Sequence, residues 1–361
     1  SLKVNKDSKL IIALGDSFVE GQGAVSKETW EKYDWSESKM TLVDPWSDDF
    51  NSLREEEHNN AFVSVLCKKH FPDYTPINLG YRGNGNRATV KALTTLHPDL
   101  NLGVAKEKIV IFFVGQMVRF DFFNNKLNNT HNYFHTVWPS STDSEEIGLQ
   151  NLWNGYATEV YSPVTAALEV ISNIVEVQNW CKLNNAKLLL VNSFTYDFER
   201  EKLIDALTDF TPGFKDEDGL IVNLVDTIDW SNLAMLPKGR KQMVDVLLDR
   251  ENRHDLAGLD HLWYFWPREL KNFTPKGLMT PCSHPSPKGH QLIAKVLAKE
   301  IKELHDDQKA VASNFAKLEE FVVGSLAKEI AEFYEDKKDL AETKVKLVKE
   351  AKTHLAKVKD N

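Results

Sequence analysis

A chain of 361 residues with 42% apolar and 27% charged side chains can bury a large core, and its length points to one α/β domain of about 300 residues with something added. No apolar run approaches the roughly 20 residues needed to cross a bilayer. A formal net charge of −9 without a basic block argues against nucleic acid as the main partner, because neutralising phosphates needs clustered Lys and Arg. A small or neutral substrate suits that balance better. Three cysteines, Cys67, Cys181 and Cys282, stand far apart and unpaired with histidines at metal-ligand spacing; they read as reduced thiols rather than a disulfide framework or zinc site. The opening Ser1-Leu2-Lys3-Val4-Asn5-Lys6 lacks a secretory apolar stretch, so the expected place of synthesis is the cytoplasm.

Lys9 to Leu14 is a short apolar run stopped by Gly15-Asp16-Ser17, which predicts a buried first strand ending in a turn. Residues 20–60 are polar, acidic and aromatic, with Trp30, Trp35 and Trp46 but no sustained period. This predicts a long insertion loop with one short helix. Ala61 to His70 has helical spacing, Tyr74 to Leu79 reads as a second strand opening into Gly80-Tyr81-Arg82-Gly83-Asn84-Gly85-Asn86, and a helix follows from Arg87 to Leu96. Lys108 to Val114 is a continuous Ile, Val and Phe run of the kind buried on both faces of a parallel sheet, and so is expected to be central.

A second irregular insertion is expected over 120–161. Ser162 caps a helix entered at Pro163 and running to Asn185, and Lys187 to Asn192 is another buried strand. Helices are expected near Glu199 to Leu207 and Pro237 to Arg250, with an aromatic stretch at Trp263-Tyr264-Phe265-Trp266, and Pro287 to Leu304 reads as a final amphipathic helix. Strand and helix alternation predicts right-handed crossovers and an α/β flavodoxin-like fold: a three-layer parallel sheet with helices on both faces. After Asp306 the composition turns to Ala, Glu, Lys and Leu, with near-heptad apolar positions from Leu326 to Val358. The expected organisation is therefore a domain over 1–305 and a helical extension over 306–361 serving as an oligomerisation or docking arm.

Ser17 falls at the sharp turn after the first strand, at the carboxyl edge where open α/β sheets bind ligands. A serine hydroxyl needs a neighbouring imidazole to take its proton before it can attack a carbonyl. His284, in Cys282-Ser283-His284-Pro285-Ser286-Pro287-Lys288-Gly289-His290, lies just before the last helix, which this topology returns to the same edge. Backbone N–H groups of Ser17 and of the Gly80 to Gly85 turn can receive the developing oxyanion. His290 is expected simply to face core or solvent. A phosphate cradle at Gly80, Gly83 and Gly85 fits poorly, since their spacing is Gly-x-x-Gly-x-Gly after the second strand rather than the first. Trp30, Trp35, Trp46 and the Trp263 to Trp266 cluster could line a sugar-stacking rim, although aromatics in long loops more often pin those loops down.

Ile11-Ile12-Ala13-Leu14-Gly15-Asp16-Ser17-Phe18 resembles the first block of the SGNH/GDSL hydrolase family, whose nucleophile is the serine of Gly-Asp-Ser. Asn78-Leu79-Gly80-Tyr81-Arg82-Gly83-Asn84 is similar to the second block, which makes Gly83 the oxyanion-hole glycine. Ser283-His284-Pro285-Ser286-Pro287-Lys288-Gly289-His290 resembles the last block, with His284 as base. The three stand in the family's order between Lys9 and Ile301. Within the family, the segment after the serine and Val118-Arg119-Phe120-Asp121 look most like divergent bacteriophage-encoded members.

Two departures accompany the resemblance. The third block, Gly-x-Asn-Asp, is replaced by Gly115-Gln116-Met117-Val118; Met117 stands where the donating Asn would, leaving Gln116 or Asn84 to substitute. Pro281 stands where an orienting Asp precedes the histidine, so Asp260, a backbone carbonyl or no group at all partners the imidazole. The resemblance implies a serine esterase or deacetylase, with Ser17 and His284 catalytic, Asp16 supporting, and Ser17, Gly83, Asn84 and Gln116 around the oxyanion. It implies a small-molecule or carbohydrate O-acyl ester as substrate and no metal or cofactor. Rival expectations are a non-catalytic structural or binding protein, such as a virion component assembling through 306–361, and a flavin or nucleotide binder.

Overall fold

The computed structural model of the chain describes residues 3–32, 48–96, 100–123, 134–137, 151–152, 154–195, 198–209, 219–249, 277–280, 284–334, 347–353 and 355. The strands of the described residues, numbered in chain order, are β1 (Lys9–Leu14), β2 (Thr75–Asn78), β3 (Glu107–Val114), β4 (Phe120–Phe123), β5 (Phe134–Val137) and β6 (Lys187–Asn192). Four of them form one parallel sheet in the order β2-β1-β3-β6, with Ile12 opposite Ile77, Ala13 opposite Ile111, and Phe112 opposite Leu190. The run predicted to be central, β3, is an inner strand. From Ile109 to Val114 it is apolar because both faces are covered.

Alternation along the strands sorts the core into two layers. Leu10, Ile12 and Leu14 of β1, Val110, Phe112 and Val114 of β3, and Leu188 and Leu190 of β6 share one cluster. Buried side chains of α5 (Asn86–Lys91), α6 (Pro163–Leu183), α7 (Arg200–Asp209) and α8 (Leu220–Val225) belong to it as well. On the opposite face, Phe113 packs on Phe62 with ring centroids 4.9 Å apart. Phe62 opens α4 (Phe62–His70). Each fully buried Phe, Leu or Ile of these layers contributes about 1.5–3 kcal/mol. This is the α/β architecture expected from the sequence. Ser162 caps α6 as predicted, its Oγ accepting the Thr165 N–H at 3.1 Å ahead of Pro163.

Both insertions carry more structure than their sequences suggested. After α1 (Ser17–Glu20), residues 20–60 contain α2 (Lys27–Lys32) and α3 (Asp48–Asn60). Helix α3 shows no apolar periodicity because two of its buried positions are Leu53 and Glu57, and the second is a carboxylate. Trp30 is buried and so pins this insertion. The 120–161 insertion holds an antiparallel ribbon, β4 on β5, with Phe120 opposite Val137; strands of four residues leave too little alternation to recognise. The segment Pro237 to Arg250 forms a 3₁₀ turn at Pro237–Gly239 and α9 (Met243–Leu248) rather than one helix.

Helix α10 runs from Pro287 to Tyr334, well past its predicted end at Leu304. Two units are distinguished, Ser1–Ala298 and Lys299–Asn361. Among the described residues no helix is long and apolar enough to cross a membrane. Trp35, Trp46, Asp260, the Trp263 to Trp266 stretch, Pro281 and Cys282 lie outside the described residues.

Candidate active site

The nucleophile turn follows directly from local sequence. Strand β1 ends at Leu14, and Asp16 caps the one-turn helix α1 by accepting the Phe18 N–H at 3.0 Å. Ser17 is thereby presented at the carboxyl edge of the sheet, 8% exposed. His284 reaches the same place from a distant stretch: its Nε2 lies 2.8 Å from Ser17 Oγ, across 267 positions of sequence. A serine and an imidazole in hydrogen-bond contact can exchange a proton.

The histidine is held by its own loop. Thr280 N–H and Oγ1 both donate to the His284 carbonyl, at 2.8 and 3.0 Å, and the His284 N–H donates back to Thr280 Oγ1 at 3.3 Å. Two residues on, Ser286 is the N-cap of α10, its Oγ accepting the Gly289 N–H at 3.2 Å with Pro287 in the first turn. That is the preferred chemistry of a helix start. The imidazole also packs against Phe18 (5.8 Å between centroids), and Phe18 against Phe194 just beyond β6 (5.0 Å).

The glycine loop after β2 forms a tight turn, Tyr81 to Asn84, closed by the Asn84 N–H donating to the Tyr81 carbonyl at 3.2 Å. Gly83 has φ +83°, the positive value that the third residue of a type II turn requires. Among the described residues nothing lies within 4 Å of where its Cβ would be, so they leave the space over this peptide open. On one side the turn is bound to the far end of α1. Both the N–H and Nε of Arg82 donate to Glu20 Oε2 at 2.9 Å, Arg54 pairs with the other oxygen of Glu20, and Arg82 Nη2 reaches Glu57 Oε2 at 2.7 Å. Glu20 and Glu57 are fully buried and tolerate it because each carboxylate has a guanidinium partner.

On the other side stand groups from the β3–β4 connection. Met117 lies in the apolar core and brings no donor to the site. Gln116 is buried, and its Oε1 accepts from Arg119 Nε at 3.0 Å. Arg119 Nη1 donates to Asp16 Oδ2 at 3.0 Å and to the Asn84 carbonyl at 2.8 Å. Burial pushes the Asp16 carboxyl above its ordinary value, with the Arg119 guanidinium pulling the other way. Asp121, also buried, accepts the N–H groups of Gly85 at 3.0 Å and Ala88 at 2.8 Å and the Thr136 hydroxyl. Burial raises its carboxyl too, against those hydrogen bonds. Asn86 ties the same loop to β3 by exchanging bonds with the Gly115 N–H (2.8 Å) and carbonyl (3.3 Å).

Ser17, His284, Asp16 and Gln116 are thus gathered at one sheet edge, with the Gly83–Asn84 turn tied to them through Arg119. Arg119, Asp121, Glu20 and Arg82 were not anticipated as parts of the site. Their signal was weak: single charges set among apolar residues, meaningful only once their buried partners are known. Among the described residues no group of three His, Cys, Asp or Glu side chains is placed to hold a metal ion.

No family model and no curated protein matches the chain. Among solved structures it is similar to an acetyl xylan esterase, with 13% identity and a TM-score of 0.31 over 81% of this chain and 98% of that one.

Proposed function

We propose that the chain is a serine ester hydrolase of SGNH type in which Ser17 is the nucleophile and His284 the general base. The observation that carries this is the 2.8 Å contact between Ser17 Oγ and His284 Nε2, beside an open glycine turn. Ser17 Oγ attacks the acyl carbonyl and its proton passes to His284 Nε2. The oxyanion is received by the N–H groups of Ser17 and Gly83. Collapse breaks the ester bond, and the alkoxide leaves with the proton from His284. Water then attacks the acyl-serine, again giving its proton to His284, and releases the acid and free Ser17. An O-acyl group on a small molecule or carbohydrate is the proposed substrate, on the strength of the three sequence blocks.

Labelling with a fluorophosphonate, followed by peptide mapping, tests the proposal. Ser17 is the expected site of modification, and Ser17→Ala or His284→Ala is expected to lower hydrolysis of p-nitrophenyl acetate by at least about a thousandfold. A wild-type protein that neither labels nor hydrolyses short esters would leave the fold as a binding or structural scaffold.

A further inference from the structure

The third-block asparagine has no counterpart at Met117, which is turned into the core. A polar group that the β3–β4 connection does bring to the nucleophile turn, at Asp16, is the guanidinium of Arg119, whose side chain is only 7% exposed. Its contacts span four connections at the carboxyl edge. It donates to Asp16 after β1 and to the Asn84 carbonyl after β2, and to Gln116 after β3. Its guanidinium carbon also lies 5.8 Å from the ring of Phe194 after β6, and through Phe194 and Phe18 the chain of packing ends on the His284 imidazole. A planar fork of donors can satisfy such divergent partners at fixed angles, which a lysine ammonium cannot.

We propose that Arg119 is a positioning residue that sets the nucleophile turn, Asp16–Ser17, against the Gly83–Asn84 turn. It would thus do by bracing what a side-chain oxyanion donor does elsewhere by direct contact. The turn is held at both ends by arginines: Arg82 anchors it to Glu20 at the end of α1, and Arg119 anchors it to Asp16 at the start. The Gly83 peptide lies between these anchors, and its distance from Ser17 is set by them. The inference rests on the hydrolase reading. Misplacement of reacting groups by about 1 Å is enough to cost about a hundredfold in rate.

The test compares wild type, Arg119→Met and Arg119→Lys in p-nitrophenyl acetate hydrolysis, with active sites titrated by fluorophosphonate. Titration separates bracing from mere folding: a variant that only misfolds loses titratable sites but keeps kcat per site. The expected result is a fall of about ten- to a hundredfold in kcat per titrated site for Arg119→Met, with KM within about twofold. Arg119→Lys is expected to recover less than about a tenth of the lost rate. A labelled wild type alongside an Arg119→Met variant of unchanged per-site kcat overturns the bracing role alone. Full recovery in Arg119→Lys overturns it as well, by showing that charge suffices. A wild type that does not label overturns the hydrolase reading and this inference with it.

Discussion

His290 illustrates how one side chain can link the site to the core. Its Nδ1 accepts the Phe62 N–H at 3.1 Å, so the proton of the neutral ring sits on Nε2, which has no hydrogen-bond partner among the described residues. The ring is stacked near Phe62 and fully buried. Burial, then the neighbouring His284, pulls its pKa from 6.5 down to about 3. The unfolded chain therefore binds a proton in this interval that the folded chain refuses. The stability contributed by a neutral His290 is complete above about pH 6.5 and drains away as pH falls toward 3. In His290→Asn, Oδ1 takes the place of Nδ1 as acceptor and nothing titrates. Urea unfolding from pH 6.5 down to about 4.5 is expected to show wild type losing up to about 1.4 kcal/mol per pH unit more than the variant. Parallel profiles would show that His290 is not buried as a neutral ring. The buried carboxyls Asp16 and Asp121 are common to both proteins and cancel in the difference.

Among the elements, α10 carries two glycines whose surroundings differ. A Cβ at Gly289 would lie 2.2 Å from the Leu278 carbonyl oxygen, a backbone atom held by its bond from the Ser286 N–H at 2.9 Å. Gly289→Ala must therefore push apart the two strands of the loop that carries His284. We expect a loss of about 1–3 kcal/mol in chemical denaturation, with a lower rate of Ser17 labelling. At Gly324 nothing among the described residues lies within 4 Å of the added methyl and the residue is exposed. Gly324→Ala removes only the conformational freedom of glycine, and is expected to raise helix content measured by circular dichroism, with a gain of about 0.5–1 kcal/mol in helix stability. Equal effects at the two positions would contradict the packing described for the first turn of α10.

At the scale of the whole molecule, the unit Ser1–Ala298 contains every group assigned to the proposed chemistry. A chain ended after Leu304 retains that unit entire. It is expected to unfold in one cooperative transition and to label at Ser17 at the rate of the full chain, within about twofold, because no group at the reacting centre has been removed. Light scattering of the same pair tests the proposed arm: a fall to monomer mass on truncation supports self-association through 306–361, and an unchanged assembly state removes that role. Loss of labelling in the shortened chain would show that the site depends on residues beyond Leu304.

Much of this was legible in the linear chain because it rests on local chemistry. Strands β1, β3 and β6 are short apolar runs bounded by polar residues, Ser162-Pro163 is a helix start on its face, and Gly15-Asp16-Ser17 and Ser283-His284-Pro285 mark the two halves of the proposed site by residue type and order. What only tertiary structure decided is the set of interactions between residues distant in the chain. Glu57 looks like a surface residue of a polar segment until Arg82 is found beside it, and Arg119 looks like a charge after a strand until Asp16 and the Asn84 carbonyl are seen around it. A buried charge is stable only through partners that desolvate with it. Those partners lie tens of residues away in sequence, so no local pattern can announce them.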